Sequence, residues 1–200
     1  MFHIMLQNAL KCQICTKTPG CSHLWQWGRI GHNGAFYSIS GKENGMNKIL
    51  FICHGNICRS TMAEFVMKDL VRRAGREKQF EIASAATSRE EIGHDIHHGT
   101  KAILQAKGIP FASRQAVQMT KNDYRYYDLI VAMDKENLWG ISRIIDFDRD
   151  NKVKLLLSYA GEPAGEVADP WYTGDFEATY RDVLAGCQGI LDSYPPMEEN

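Results

Sequence analysis

No stretch of the sequence approaches the ~18 consecutive apolar residues of a membrane span, and the N-terminus lacks a charged segment leading into an apolar core of roughly 7–15 residues, as a secretory leader requires. These absences predict a cytoplasmic protein. A surplus of one charge is missing as well: 23 basic and 24 acidic side chains nearly cancel, and no block of like charge marks a nucleic-acid or membrane surface. A partner must therefore be recognised locally. There is no internal repeat and no Gly-x4-Gly-Lys-Ser/Thr run, so the phosphate loop of nucleotide hydrolases is excluded.

The 200 residues suffice for one core of ordinary size. The cysteines form two unrelated sets, Cys12, Cys15 and Cys21, then Cys53, Cys58 and Cys187. This fits free or reactive thiols in a reducing compartment better than a disulfide framework. The first set lies in a segment unlike the rest, where Trp25-Gln26-Trp27-Gly28 and Gly31-His32-Asn33-Gly34 follow neither a helical nor a strand period. Residues 1–45 are expected to be an N-terminal extension without a packed core, disordered or created by a misplaced start codon. Gly41-Lys42-Glu43 can be encoded by purine-rich triplets resembling a bacterial ribosome-binding site just before Met46. A competing reading is zinc binding by Cys12, Cys15, Cys21 and His23, although their spacing matches no familiar zinc module. The folded domain is expected to run from residue 46 to 200.

From Met46 onward, strands are predicted at Ile49 to Cys53, Phe80 to Ser84, Leu129 to Ala132 and Val153 to Leu156, with helical patterns between them. A helix starting near Ser60 would bury Met62, Phe65, Val66 and Leu70. Weaker helices follow at Thr100 to Ala106 and Lys135 to Ile145. The last helix has the clearest stripe, from Phe176 through Tyr180, Val183, Leu184, Cys187 and Ile190 to Leu191, behind Asp175 as cap. Cys187 is thus a core residue. Alternation of this kind predicts an α/β fold with a parallel sheet covered on both faces.

The first strand runs directly into Cys53-His54-Gly55-Asn56-Ile57-Cys58-Arg59-Ser60 and then a helix. A short loop closing on a helix start can turn successive N–H groups inward, and with the positive end of the helix dipole it forms an anion cradle suited to phosphate. Helix N-termini and nearby cations lower a thiol from about 8.5 to roughly 3.5–7.5, so Cys53 is expected to react as a thiolate without a separate base. Arg59, across the loop, can hold two phosphoryl oxygens with its planar fork. Ser60 can donate to the sulfur, Gly55 permits unusual backbone angles, and Asn56 can brace the loop. An isolated Cys-x5-Arg match would read better as a structural cysteine in a turn; here strand, loop, serine and helix agree. Departure of a phenol of pKa about 10 needs an acid. Asp169-Pro170-Trp171-Tyr172 supplies a candidate on a proline-stiffened loop with aromatics able to flank a phenyl ring.

Residues 46 to about 194 resemble the low-molecular-weight protein tyrosine phosphatase family. The likeness lies in Cys53-x5-Arg59-Ser60, Asp169-Pro170, Ser84-Ala85-Ala86-Thr87-Ser88, Gln118-Met119-Thr120-Lys121-Asn122-Asp123 and Ala132-Met133-Asp134-Lys135-Glu136-Asn137-Leu138. The resemblance implies a four-stranded parallel sheet with helices on both faces, and two-step covalent catalysis through a phosphocysteine. Cys53 would be the nucleophile, Arg59 the clamp, and Asp169 the acid and then the base. His54, Gly55, Asn56, Ile57, Cys58, Arg59 and Ser60 would bind phosphate, with Asp134 in support. It also implies a monomer acting on a phosphotyrosine protein or small aryl phosphate, with no cofactor or metal. Cys58 resembles a family partner cysteine able to form a reversible disulfide with Cys53, the alternative being loop packing.

Two departures bear on specificity. The aromatic residue that many members carry after the Thr-Ser pair is replaced by Arg89-Glu90-Glu91, and the arginine often found before the Gln-x-Thr segment is Val117. Bacterial protein-arginine phosphatases are similar but carry threonine at the place of Ile57, whose bulk is expected to crowd out a phosphoguanidinium. Thiol-dependent arsenate reductases need two further cysteines in mid-chain, and between Cys58 and Cys187 there are none. A non-catalytic phosphate-binding module is a third alternative. His94, His97 and His98 could face one metal, but exposed histidines near a loop are commoner than ligands.

Overall fold

Four strands, β1 (Asn47–Cys53), β2 (Phe80–Ala86), β3 (Leu129–Ala132) and β4 (Val153–Leu155), form one parallel sheet in the order β2-β1-β3-β4 in a computed structural model that describes residues 45–195. Residues 1–44, and with them all but the last position of the expected extension and the whole zinc alternative, lie outside the described residues. Six α-helices connect and follow the strands: α1 (Arg59–Arg73), α2 (His98–Ala106), α3 (Lys121–Tyr126), α4 (Lys135–Ile145), α5 (Pro170–Thr173) and α6 (Phe176–Ser193). Among the described residues no helix is long and apolar enough to cross a membrane.

The period of two in β1 explains why both sheet faces must be covered. Ile49, Phe51 and Cys53 point into one core with α1, α2 and α6, whereas Leu50 and Ile52 point into a second core closed by Tyr124, Leu138, Ile141 and Ile144 of α3 and α4. Both faces are buried, so the strand reads as an unbroken apolar run. Truncating Phe51, which is fully buried, to alanine would cost about 3–5 kcal/mol. The final helix carries the predicted stripe, with Asp175 accepting the N–H of Ala178 and Cys187 buried with its thiol 3.7 Å from the Ala63 carbonyl.

Several boundaries differ from the sequence expectation, each for a local reason. β2 continues to Ala86 because it pairs along the whole of β1. α2 begins at His98, since the His97 ring accepts the Gly99 N–H and caps the helix two residues early. β4 stops at Leu155, where a 3-10 turn (Leu156–Ala160) takes over. The unforeseen α3 is held by a reciprocal capping box between Thr120 and Asp123. Leu70 is only half-buried, whereas α1 is buried nearly all round from Arg59 to Met67, because the sheet, α2 and α6 enclose its first half.

β1 lies at the centre, with β2 on one side and β3 on the other. The connection from the carboxyl end of β1 leads to β2 and that from the adjacent β3 leads the opposite way to β4, which opens a crevice between them. Cys53 stands at that end.

Candidate active site

The loop from Cys53 to Arg59 wraps the mouth of this crevice, and its outward groups show how it is held. The carbonyls of Cys53, His54 and Ile57 accept N–H groups from Thr87, Ser88 and His97 at 2.9, 3.0 and 2.9 Å, and that of Cys58 accepts from Met62 at 3.0 Å. In a trans peptide the N–H of the next residue points the opposite way. The amides of His54, Gly55, Cys58 and Arg59 therefore turn inward, and the start of the 15-residue α1 adds its own donors.

Asn56 determines the loop's shape. It adopts φ 59°, a left-handed conformation that asparagine tolerates. The expectation that Gly55 supplies the unusual angle is thus corrected: Gly55 keeps negative φ, and its lack of a side chain matters because a Cβ would come within 2.9 Å of Glu91 Cγ. The Asn56 N–H lies 3.2 Å from Cys53 Sγ. Its side-chain amide donates to Ser60 Oγ at 2.9 Å and Ser84 Oγ at 2.8 Å, while its Oδ1 accepts from Arg114 Nη2 at 2.9 Å and the Val117 N–H at 3.2 Å. Because Ser60 Oγ accepts from Asn56, its own proton is free for Cys53 Sγ, 3.1 Å away. The sulfur thus has two donors that favour negative charge.

Behind Asn56 lies a network that sequence reasoning missed. Arg114 pairs with Glu64 and reaches Ser84 Oγ, while Ser84 Oγ donates to Glu64 at 2.6 Å. An arginine thus braces the loop from three positions before Val117, where the sequence suggested none. The usable signal was Arg114-Gln115 between two loop segments, which carries no period to flag it.

Arg59 is almost wholly buried, with its guanidinium 2.5 Å from Asp134 Oδ2 and 2.6 Å from Asp169 Oδ2. Burial alone would lower its pKa, but the charges of Cys53, Asp169 and Asp134 outweigh it and raise Arg59 above its ordinary value. Both carboxylates are aimed by capping: Asp134 Oδ1 accepts from Asn137 N at 2.6 Å, and Asp169 Oδ1 from Trp171 N at 3.0 Å. The Cys58 thiol is pushed up to about 12, first by burial and then by the charges of Cys53 and Asp169. Cys53, Cys58 and Cys187 are all free thiols.

The resulting cleft encloses about 220 Å³ and is lined by Cys53, His54, Gly55, Ile57, Cys58, Arg59, Glu90, Glu91, Glu136, Asp169, Trp171 and Tyr172. Every catalytic candidate lies there, and of the phosphate-binding candidates Asn56 and Ser60 stand behind the wall as braces. His94, His97 and His98 have other roles: His94 binds Glu91 at 2.6 Å, and His97 stacks on Phe176 with centroids 5.2 Å apart and lies beside His98.

The family model for low molecular weight phosphotyrosine protein phosphatase matches residues 48–195. The chain belongs to this family. It is 38% identical over 149 residues to the low molecular weight protein-tyrosine-phosphatase YfkJ of Bacillus subtilis, covering 74% of this chain and 96% of that one. The crystal structure of YfkJ superposes with a TM-score of 0.72 at 37% identity, covering 76% and 96% of the two chains. The human low molecular weight phosphotyrosine protein phosphatase is 34% identical over 154 residues, 75% of this chain and 97% of that one. A Drosophila arginine phosphatase shares the fold at 27% identity and TM-score 0.67, over 76% and 99% of the chains. Glu90 and Glu91 of the Arg89-Glu90-Glu91 segment stand in the cleft lining.

Proposed function

We propose that the chain is a protein tyrosine phosphatase in which Cys53 is the nucleophile, Arg59 the phosphate clamp, Asp169 the general acid and base, and residues 53–60 the cradle. The Cys53 sulfur attacks phosphorus as the bond to the phenolic oxygen breaks, and Asp169 gives that oxygen its proton. Asp169 then takes a proton from water, whose oxygen attacks phosphorus while the S–P bond breaks. Donation from Ser60 and the Asn56 N–H stabilises the departing thiolate, and Arg59 with the inward amides stabilises the equatorial oxygens.

The observation that carries this reading is the convergence of Cys53 Sγ, Arg59 and Asp169 on one cleft, with Arg59 and Asp169 2.6 Å apart. Trp171 and Tyr172, both exposed at the cleft, offer flat apolar faces to a phenol ring. The buried Ile57 in the lining favours the phenol over a phosphoguanidinium. A thiol nucleophile also suits the cytoplasm, where it stays reduced. The folded enzyme is assigned to residues 46–200.

Phosphate release from a phosphotyrosine peptide and from a phosphoarginine protein, measured in parallel with EDTA present and with Cys53→Ser as control, tests the proposal. Phosphotyrosine turnover lost in the variant is expected. Preference for phosphoarginine would replace the substrate, and binding without turnover of either would point to a phosphate-binding module.

A further inference from the structure

The cleft carries opposite charge at its floor and its mouth. Arg59 and the inward amides form the floor, whereas the loop after β2 contributes Glu90 and Glu91 and the first turn of α4 contributes Glu136. Glu90 Oε2 lies 3.0 Å from Nε2 of His54, the residue directly after the nucleophile, and its side chain is 73% exposed. One carboxylate is therefore tethered within a single side chain of Cys53 yet open to solvent. Glu91 lies against the cradle at Gly55 and binds His94 at 2.6 Å, and Glu136 takes part in no salt bridge among the described residues. The lining holds one arginine, Arg59, already held by Asp134 and Asp169, and the His54 ring lies against Glu90.

A phosphotyrosine whose phosphate sits on the floor directs its ring outward, so the neighbouring residues of its peptide emerge at this mouth. We infer that Glu90, with Glu91 and Glu136, selects phosphotyrosine flanked by lysine or arginine and disfavours acidic flanks, an inference that rests on the phosphotyrosine reading above. The rim attracts basic side chains and repels acidic ones during approach, while the phosphate itself is held by the inward amides and Arg59 beneath. Such pairs are exposed, so each contributes modestly and salt weakens it.

The test compares kcat/KM of the full chain for three phosphotyrosine peptides identical except for lysine, alanine or glutamate on both sides of the phosphotyrosine, with p-nitrophenyl phosphate as an uncharged-flank reference. At about 0.05 M salt the lysine peptide should exceed the glutamate peptide by roughly tenfold, and the ratio should shrink several-fold at about 0.5 M. Glu90→Gln should lower the ratio by about threefold and Glu90→Lys should lower it further or invert it. Taking the ratio within each variant cancels any general loss of activity. Turnover of all three peptides at equal rates, or a lysine preference that Glu90→Gln and Glu90→Lys leave unchanged, overturns the inference and leaves the catalytic reading intact. Turnover of neither peptides nor p-nitrophenyl phosphate removes the catalytic reading, and the inference with it.

Discussion

Arg114 Nη2 lies 2.9 Å from Asn56 Oδ1, although 58 positions separate the two residues. Through this bond a loop with no regular structure fixes the amide of the residue that shapes the phosphate cradle. The same guanidinium faces Glu64, so the site's rigidity is coupled to a buried ion pair.

Removing Arg114 should therefore lower both stability and activity. Arg114→Ala leaves the buried Glu64 carboxylate with Lys68 and the Ser84 hydroxyl but without its guanidinium, at a cost of about 3 kcal/mol in urea unfolding. Arg114→Met combined with Glu64→Leu should recover much of the stability but not kcat, because Asn56 still lacks its brace.

Asn56 separates backbone strain from hydrogen bonding. Asn56→Ala must hold φ 59°, which alanine tolerates less well than asparagine, and loses the bonds to Ser60, Ser84, Arg114 and the Val117 N–H, so it should cost about 2–4 kcal/mol. Asn56→Gly relieves the strain and should be more stable than the alanine variant, yet equally slow. A glycine variant with full kcat would show that the side-chain network is dispensable.

Much of this arrangement was legible because it is contiguous. The apolar run Ile49 to Cys53, the loop and the helix that follows lie within one stretch, and their periods and spacing report the sheet, the nucleophile and Arg59. Asp169 stood out as a carboxylate on a proline-stiffened loop and Asp134 became visible through the family resemblance; both proved to be helix caps, each accepting an N–H of its own helix. The Arg114–Glu64–Ser84 brace was hidden, because its members come from a loop, a helix and a strand that only the fold brings together. Attribution of the loop's unusual angle to Gly55 failed for a different reason: asparagine can adopt positive φ when its amide is anchored, and that anchoring is tertiary.

Cys58 should be inert near neutral pH. With its thiol pushed up to about 12, iodoacetamide below pH 9 should label neither Cys58 nor the buried Cys187, as peptide mass spectrometry would show. The raised value also has a consequence for stability. The folded state keeps the proton while the unfolded thiol loses it above its ordinary 9.0, so stability is complete below pH 9 and declines as pH rises from there toward 12. Cys58→Ala should flatten that alkaline decline.

His97 acts at the acid end. Burial, followed by the neighbouring His98, lowers its pKa below the ordinary 6.5, and the neutral ring accepts the Gly99 N–H. Its contribution to stability is full above pH 6.5 and falls as pH drops through the lower folded value, because the unfolded chain takes up the proton first. His97→Asn keeps a capping acceptor and should remove this part of the acid-side decline in thermal unfolding.

Packing of α6 is tightest at Gly189, where a Cβ would stand 2.0 Å from the Tyr159 carbonyl oxygen. Gly189→Ala should cost about 3 kcal/mol or more in unfolding free energy, whereas Gly161→Ala, which meets no atom within 4 Å, should cost only the strain of its positive φ.

The most direct test of the central claim is to quench the enzyme in acid during turnover of a phosphotyrosine substrate and locate the phosphoryl group by mass spectrometry of its peptides. The phosphoryl group should reside on Cys53, accumulate in Asp169→Asn when p-nitrophenyl phosphate, whose leaving group needs little protonation, replaces phosphotyrosine so that only the second step lacks its partner, and be absent in Cys53→Ser. A phosphoryl group on another residue, or turnover by Cys53→Ser at an unaltered rate, would contradict the assignment of Cys53 as nucleophile.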